Sequence, residues 1–233
     1  MNSTMAKSTT KAEPASKAAR GAKPANDRKP KAERWEELLE AAAKVFHEKG
    51  YDAASLQDIA SRVGILKGSI YYYIETKADL RNSVLLQVHK EGLEAIHKSA
   101  STDGNALVKL EAMIKGHIEY ACRNIVKVTV YLQELKKLSP KERAALLGEQ
   151  GYRDVFTHVI EEGQREGTLL STLDPQLAAQ VMLGSLNSVY QWYRASPGRP
   201  RSAIGDHFAA TLLRGHAVPK AFDAYVKKYG KTW

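Results

Sequence analysis

Gly64 and Ala60 constrain this chain more than any other pair of its residues. Two short helices that meet at a sharp angle need a small side chain where they cross, a glycine in the turn, and apolar residues to close the angle. Ala60 supplies the first, Gly64 the second, and Ile59, Val63, Ile65, Ile70 and Tyr73 the third. Ser55 with Asp58 resembles a capping box that opens the first helix, which runs to Ser61 or Arg62; the second covers about Leu66–Tyr73. The unit, about residues 55–74, reads as a helix-turn-helix, whose second helix can set side chains into a DNA major groove.

Helical periodicity extends on both sides of this unit. Trp35, Leu38, Leu39, Ala42, Val45 and Phe46 keep the i, i+3, i+4 rhythm of an amphipathic helix that stops at Gly50. Thr76 with Asp79 starts a long helix with Leu80, Val84, Val88, Gly92 and Ile96 on one face. Ala106–Cys122 is apolar at Leu107, Leu110, Met113, Ile114 and Ile118. Residues 125–132 are β-branched enough to pass for a strand, but the continuation through Leu135 and Leu138 favours helix. Ser139-Pro140-Lys141-Glu142 is a strong start for a helix running towards Gly163–Gly167. Asp174-Pro175 opens another through Arg194, closed by Ser196-Pro197-Gly198-Arg199-Pro200. Ser202–Arg214 and a short Phe222–Lys228 finish the chain. No stretch sustains the two-residue alternation of a sheet. The expected fold class is all-α, with about nine helices.

Charge is unevenly spread along the 233 residues. Residues 1–34 carry nine Lys/Arg against three Asp/Glu, which is +6 of the formal net charge of +9. Residues 1–30 have almost no large apolar side chain with which to offset their ordering entropy, so they read as a disordered basic arm on a nearly neutral body. Nucleic acid, an anionic membrane surface and simple solubility all fit such a balance. No apolar run approaches the roughly 18 residues of a membrane span, and the N-terminus lacks the apolar region of a secretory signal. Cys122 is the single cysteine, which excludes an internal disulfide framework and a multi-cysteine zinc site, and a reducing cytoplasm is the expected setting. The seven histidines are scattered: His117 and His158 have no nucleophile or carboxylate constellation, and His89 and His97 stand too far apart on one helix to chelate one metal. With no phosphate-cradling glycine loop either, the expectation is no enzyme, no cofactor and no metal.

If Ile70 and Tyr73 point inward, Lys67, Gly68, Ser69, Tyr71 and Tyr72 fall on the outer or leading surface. Lys67 can donate to guanine acceptors or a phosphate, Ser69 to a base or a phosphate, and Gly68 allows close backbone approach. The tyrosines offer a hydroxyl for phosphate and a ring face for a thymine methyl. At these residues a family becomes recognisable. The stretch from Trp35 to Leu80, which includes AAAKVFHEKGYDAASLQDIASRVGILKGSIYYYIETKADL, resembles the DNA-binding domain of TetR-type transcriptional regulators. Phe46, Gly50, Ser55, Ile59, Ala60, Gly64, Gly68, Ser69, Ile70, Tyr71, Thr76, Lys77 and Leu80 match the pattern. Ile74, usually Phe in that family, and Tyr73, often His, depart from it.

The resemblance implies three parts: the arm 1–30, a DNA-binding domain 31–92 and a helical effector-binding and dimerisation domain 93–233. It implies that Ser55, Tyr72 and Lys77 grip phosphates, while Lys67, Ser69 and Tyr71 face base edges or the adjacent backbone. It also implies a homodimer joined through the last two long helices of each chain. Residues 175–194 carry small residues (Ala178, Ala179, Gly184, Ser185, Ser188) among Leu177, Val181, Leu186 and Val189, and Ile204, Phe208, Leu212 and Leu213 form a second apolar face. A small-molecule effector would sit among the helices of residues 106–194. Met113, His117, Tyr120, Tyr131, Phe156, Met182, Tyr190, Trp192 and Arg194 are the candidate ligand contacts. The strings Val130-Tyr131-Leu132-Gln133-Glu134 and Trp192-Tyr193-Arg194 more weakly resemble a branch that answers lipid-derived or acyl-CoA effectors. The expected partners are therefore a double-stranded palindromic operator, that effector and a second copy of the chain, with no membrane. The alternative is a nonspecific nucleic-acid-binding or architectural protein that uses the basic arm.

Overall fold

Short polar caps and left-handed glycines punctuate the chain, and a computed structural model shows helices between them. It describes Met1 and residues 30–148, 151–194 and 200–232. The expected disordered arm and the Ser196–Arg199 turn lie outside the described residues. Helix α1 (Lys31–Lys49) stops at Gly50, where φ is 76°. Helix α2 (Leu56–Val63) opens on a full Ser55–Asp58 capping box. It closes in a Schellman turn, with Ile65 N–H donating to Ala60 C=O at 3.0 Å and Gly64 N–H to Ser61 C=O at 3.3 Å. Gly64 holds φ 74°, which a side chain would resist. Helix α3 (Lys67–Ile70) is one regular turn, shorter than expected, and continues as hydrogen-bonded turns to Ile74.

The Thr76–Asp79 box opens α4 (Lys77–Ala100), and Asn105 caps α5 (Ala106–Arg123). The β-branched stretch is helical, as α6 (Ile125–Leu135). The helix expected from Ser139 onward is two, α7 (Pro140–Leu147) and α8 (Tyr152–Arg165), because Gly148 turns with φ 80° and ends the first. The helix expected through Arg194 also divides, at Ser188, into α9 (Pro175–Asn187) and α10 (Val189–Trp192). Helices α11 (Arg201–His216) and α12 (Pro219–Tyr229) follow. The described residues thus hold twelve helical segments rather than about nine, with no strand and one isolated bridge, Leu169 to Ala217.

Two apolar cores organise these helices. The first joins α1, α2, Ile70, Ile74 and the start of α4 (Leu80, Val84), and Val130 of α6 enters it. Ile74, the departure from the family pattern, is buried there and so replaces an aromatic ring with a smaller aliphatic filler. The second core surrounds α5, which packs against α4, α8 and α11. Helix α4 feeds both, changing from one core to the other between Val84 and Val88. Cys122 is buried in the second core, where desolvation pushes its thiol up to about 11, as suits an inert apolar filler. At the chain's end, the Tyr225 hydroxyl donates to the buried Glu111 carboxylate, and Lys231 Nζ adds a 2.5 Å bond to the same group.

Close approach fixes one glycine of α8. A Cβ at Gly163 would stand 2.7 Å from both Ala106 Cβ and Leu169 Cδ1. Gly163→Ala is expected to destabilise the protein by about 1–3 kcal/mol through overpacking, read as a lower denaturation midpoint at unchanged m-value.

Candidate nucleic-acid interface and effector cavity

The Schellman turn at Gly64 aims α3 outward, and its side chains divide as the sequence pattern requires. Ile70 is fully buried, whereas Lys67, Gly68, Ser69, Tyr71 and Tyr72 are exposed, Tyr72 at 72 %. The Tyr72 ring also lies under Lys31 Nζ at 4.8 Å and packs edge-on against Tyr73, which stacks on Trp35. A hydroxyl carried on a braced ring loses little entropy when it meets a phosphate. Nothing within 4 Å would obstruct a side chain at Gly68, so its glycine leaves room for a ligand rather than for a neighbour of this chain. Leu66, unmentioned by the motif, is 80 % exposed beside them.

Ser55 and Lys77 sit differently from the expectation that both grip phosphates. Ser55 Oγ accepts the Asp58 N–H at 3.1 Å and donates to Asp58 Oδ2 at 2.8 Å, so its proton is engaged in the cap. Bonds from Lys49 and Ser55 hold the Asp58 carboxyl down at about 2. Lys77 turns inward. Its ammonium donates to the carbonyls of Tyr51 (2.9 Å), Asp52 (3.1 Å) and Ala54 (2.9 Å) and lies 4.5 Å from the Tyr51 ring centroid. All three ammonium protons are used within the domain, which offsets the unfavourable position of a cation in the first turn of α4.

A cavity of about 140 Å³ lies between α4, α5, α6, α8 and α9. Of the nine candidate ligand residues, His117, Tyr120 and Tyr131 line it. Met113, Phe156 and Met182 do not: they are fully buried packing of the second core. Tyr190 and Arg194 line a separate groove, with His47, on the outer side of α6. Trp192 is 48 % exposed and stacks on Phe208. The sequence reading missed His89, Tyr152 and Asn187, which reach the cavity from α4, α8 and α9. His89 falls on the same face as Val88's neighbours one turn either side, but a lone histidine in an apolar stripe gives no signal of what it faces.

The cavity's polar groups are uncharged. Burial pushes Tyr131 up to about 12 and raises Tyr120 and Tyr152 as well, so all three keep their protons. Burial lowers His89, and it lowers His117 to about 4 against the opposing influence of Asn187. His89 Nδ1 and the Tyr131 hydroxyl are 3.1 Å apart, and Tyr120 donates to Glu91 Oε2 at 3.0 Å. Among the described residues, no three His, Cys, Asp or Glu side chains form a metal-holding group.

The face expected to pair two chains is mostly interior. Ala178, Ala179, Leu186, Val189, Ile204, Leu212 and Leu213 are buried within one chain. What α9 leaves outward is a narrower stripe of Leu177, Val181 and Gly184, extended by Trp192 and half-buried Phe208.

Comparisons with known proteins agree with this geometry. Residues 38–84 match the family described as bacterial regulatory proteins, tetR family, and residues 103–216 match the tetracyclin repressor-like C-terminal domain. The chain belongs to the TetR family. As a TetR-family protein it is a helix-turn-helix, DNA-binding transcriptional regulator. It is 27 % identical to the HTH-type transcriptional repressor KstR2 of Rhodococcus jostii, over 81 % of this chain and 94 % of that one. It is 26 % identical to a Bacillus subtilis fatty acid metabolism regulator protein, over 79 % and 96 %. The solved structure of the ketosteroid transcriptional regulator KstR2 of Mycobacterium tuberculosis superposes with a TM-score of 0.71 at 26 % identity, over 79 % of this chain and 95 % of that one. No helix of the described residues is long and apolar enough to cross a membrane.

Two outcomes follow for this TetR-family site. Lys77→Met leaves three loop carbonyls without their donor, and is expected to lower stability by about 1–3 kcal/mol in chemical denaturation even without DNA. His117 is held neutral in the fold, with a folded value below its ordinary 6.5. Its contribution is therefore intact above pH 6.5 and is lost as the pH falls towards about 4, because the unfolded chain binds the proton first. His117→Leu is expected to lose roughly 2–3 kcal/mol less than the parent between pH 7 and pH 4.

Proposed function

We propose that two copies pair through the outward stripe of α9 and α11 and hold their α3 helices against successive major-groove faces of a palindromic operator. Residues 31–92 read DNA and residues 93–233 bind a small apolar or acyl-CoA-like effector, which releases the repressor. The half-sites would be about 34 Å apart, or a multiple of that. Lys67, Gly68, Ser69, Tyr71 and Tyr72 are the reading surface. Ser55 contributes through the helix terminus it caps, and Lys77 braces the reader from inside. Action on DNA places the protein in the cytoplasm.

One observation carries the ligand response: α6 is shared. Turning about 100° per residue, it presents Val128, Tyr131, Leu132 and Leu135 to the cavity and Val130 to the DNA-side core. Lys127 Nζ pairs with Glu40 of α1 at 3.0 Å, a further tie between the two parts. An occupant that displaces Tyr131 therefore displaces Val130 with it. Release is then a population shift, set by the effector's differential affinity for two arrangements of the α3 helices. The relatives named for ketosteroid and fatty acid regulation favour a hydrophobic effector.

Selection of genomic fragments by the purified full chain tests this reading, and is expected to return a palindromic duplex. Lys67→Ala and Tyr72→Phe are each expected to weaken binding to that duplex about tenfold, with helix content and oligomeric state unchanged. Equal affinity for all duplexes, or unchanged affinity in both variants, would overturn the assignment.

A further inference from the structure

Leu66 stands where helical spacing would bury it, and the structure exposes it. It lies four positions before the fully buried Ile70, and in a continuous helix the two would share one inward face. Its backbone is instead extended, at φ −71° and ψ 144°, and the side chain is 80 % exposed. The Leu66 carbonyl accepts the Ser69 N–H at 2.9 Å, which ties the residue to the first turn of α3. Folding does not account for a leucine here. Its side chain is left out of the core, and it makes no cap hydrogen bond at a position where Ser, Thr, Asp or Asn would stabilise the helix start.

Single apolar side chains are common on protein surfaces and carry no meaning alone. Leu66 is not alone. Tyr71 and Tyr72, also exposed, follow within six residues, and the three form an apolar patch on the reader itself. The second helix of a helix-turn-helix enters the major groove with its N-terminal residues at the base edges, and Leu66 leads that helix beside Lys67. The patch is thus continuous with the surface that meets DNA. Gly68, with open space around it, lets a duplex come close. A leucine side chain neither donates nor accepts a hydrogen bond. Among the groups displayed in a major groove, the donors and acceptors of the bases gain nothing from it, and only the thymine C5-methyl does.

We infer that Leu66 reads a thymine: its side chain packs on the C5-methyl of one thymine in each operator half-site, beside the position met by Lys67. Cytosine at that position would set its N4 donor against leucine with no partner, so the contact discriminates against C as well as favouring T. This rests on the proposed function and adds a specificity-determining residue to its reading surface.

Removing one methyl at a time tests the contact. Deoxyuridine replaces each thymine of the palindrome selected by the full chain, one symmetric pair per duplex, and affinity is measured for the parent, Leu66→Ala and Leu66→Ser. Burial of one methyl is worth about fourfold in affinity, so the parent is expected to lose about fourfold per half-site at one position. Leu66→Ala is expected to bind the unmodified palindrome at least as weakly as the parent binds that uracil duplex. Both variants are expected to be indifferent to uracil there while keeping any methyl dependence at other positions, which separates Leu66 from the tyrosine rings. Leu66→Ser regains a cap and is expected to unfold at a higher denaturant midpoint than Leu66→Ala, so lost affinity is not lost fold. A parent with no methyl-sensitive thymine, or a sensitivity pattern that persists unchanged in both variants, would overturn the inference and leave the proposed function standing. A parent that prefers no duplex defeats the proposed function first, and this inference with it.

Discussion

Val130 is the side chain on which the two halves depend. It stands on a helix whose other faces belong to the cavity proposed for the effector and to the outer groove, yet it is 2 % exposed inside the core of α1, α2 and α4. Close-packed interiors do not deform continuously, so a side chain shared in this way leaves the two halves few relative positions. Helix α4 repeats the arrangement, with Leu80 and Val84 in one core and Val88 and Ile96 in the other. The His89–Tyr131 contact joins these two shared helices at the cavity, just beyond the level at which they enter the reader. A ligand in the proposed site would act at a point common to both.

Charged contacts reinforce that geometry without replacing it. Lys127–Glu40 joins the halves at 3.0 Å, and Lys137 reaches both Glu134 at 2.8 Å and Asp52 at 3.6 Å. Of these, only Lys137–Asp52 is exposed at both ends, and such a pair contributes little to stability. Their value is directional, because they fix which residues of α6 lie against which residues of the reader. Hydrophobic burial supplies the cohesion, and the ion pairs select the register.

Much of this was legible in the sequence, for physical reasons that differ along the chain. The reader was legible because its signals are local: Ser55 caps, Gly64 turns, Ala60 permits the crossing, and Ile70 alternates with Lys67 and Tyr72. The helix break at Gly148 was less so, because a glycine inside a periodic run is tolerated as often as it terminates, and the one at Ser188 has neither glycine nor proline to mark it. The cavity was only partly legible. Met113, Phe156 and Met182 have the size and polarity of ligand contacts, and in one dimension nothing distinguishes a residue that borders a void from one that fills it. His89 was passed over for the converse reason, since its significance lies in an α6 hydroxyl 42 positions away. The pairing face was legible in part: Ala178, Ala179, Leu186 and Val189 fill this chain's own core, while Leu177, Val181 and Gly184 of the same helical stretch face outward.

The inward turn of Lys77 changes the electrostatics of recognition. Each cation that neutralises a phosphate releases a condensed counterion from the duplex, and the salt dependence of affinity counts such events. An ammonium already shared among three carbonyls of its own domain takes no part in that exchange. If that arrangement persists on the operator, affinity is expected to track ionic strength with about one fewer released ion per subunit than a count of the motif's lysines gives, a slope shallower by roughly 0.9 per subunit.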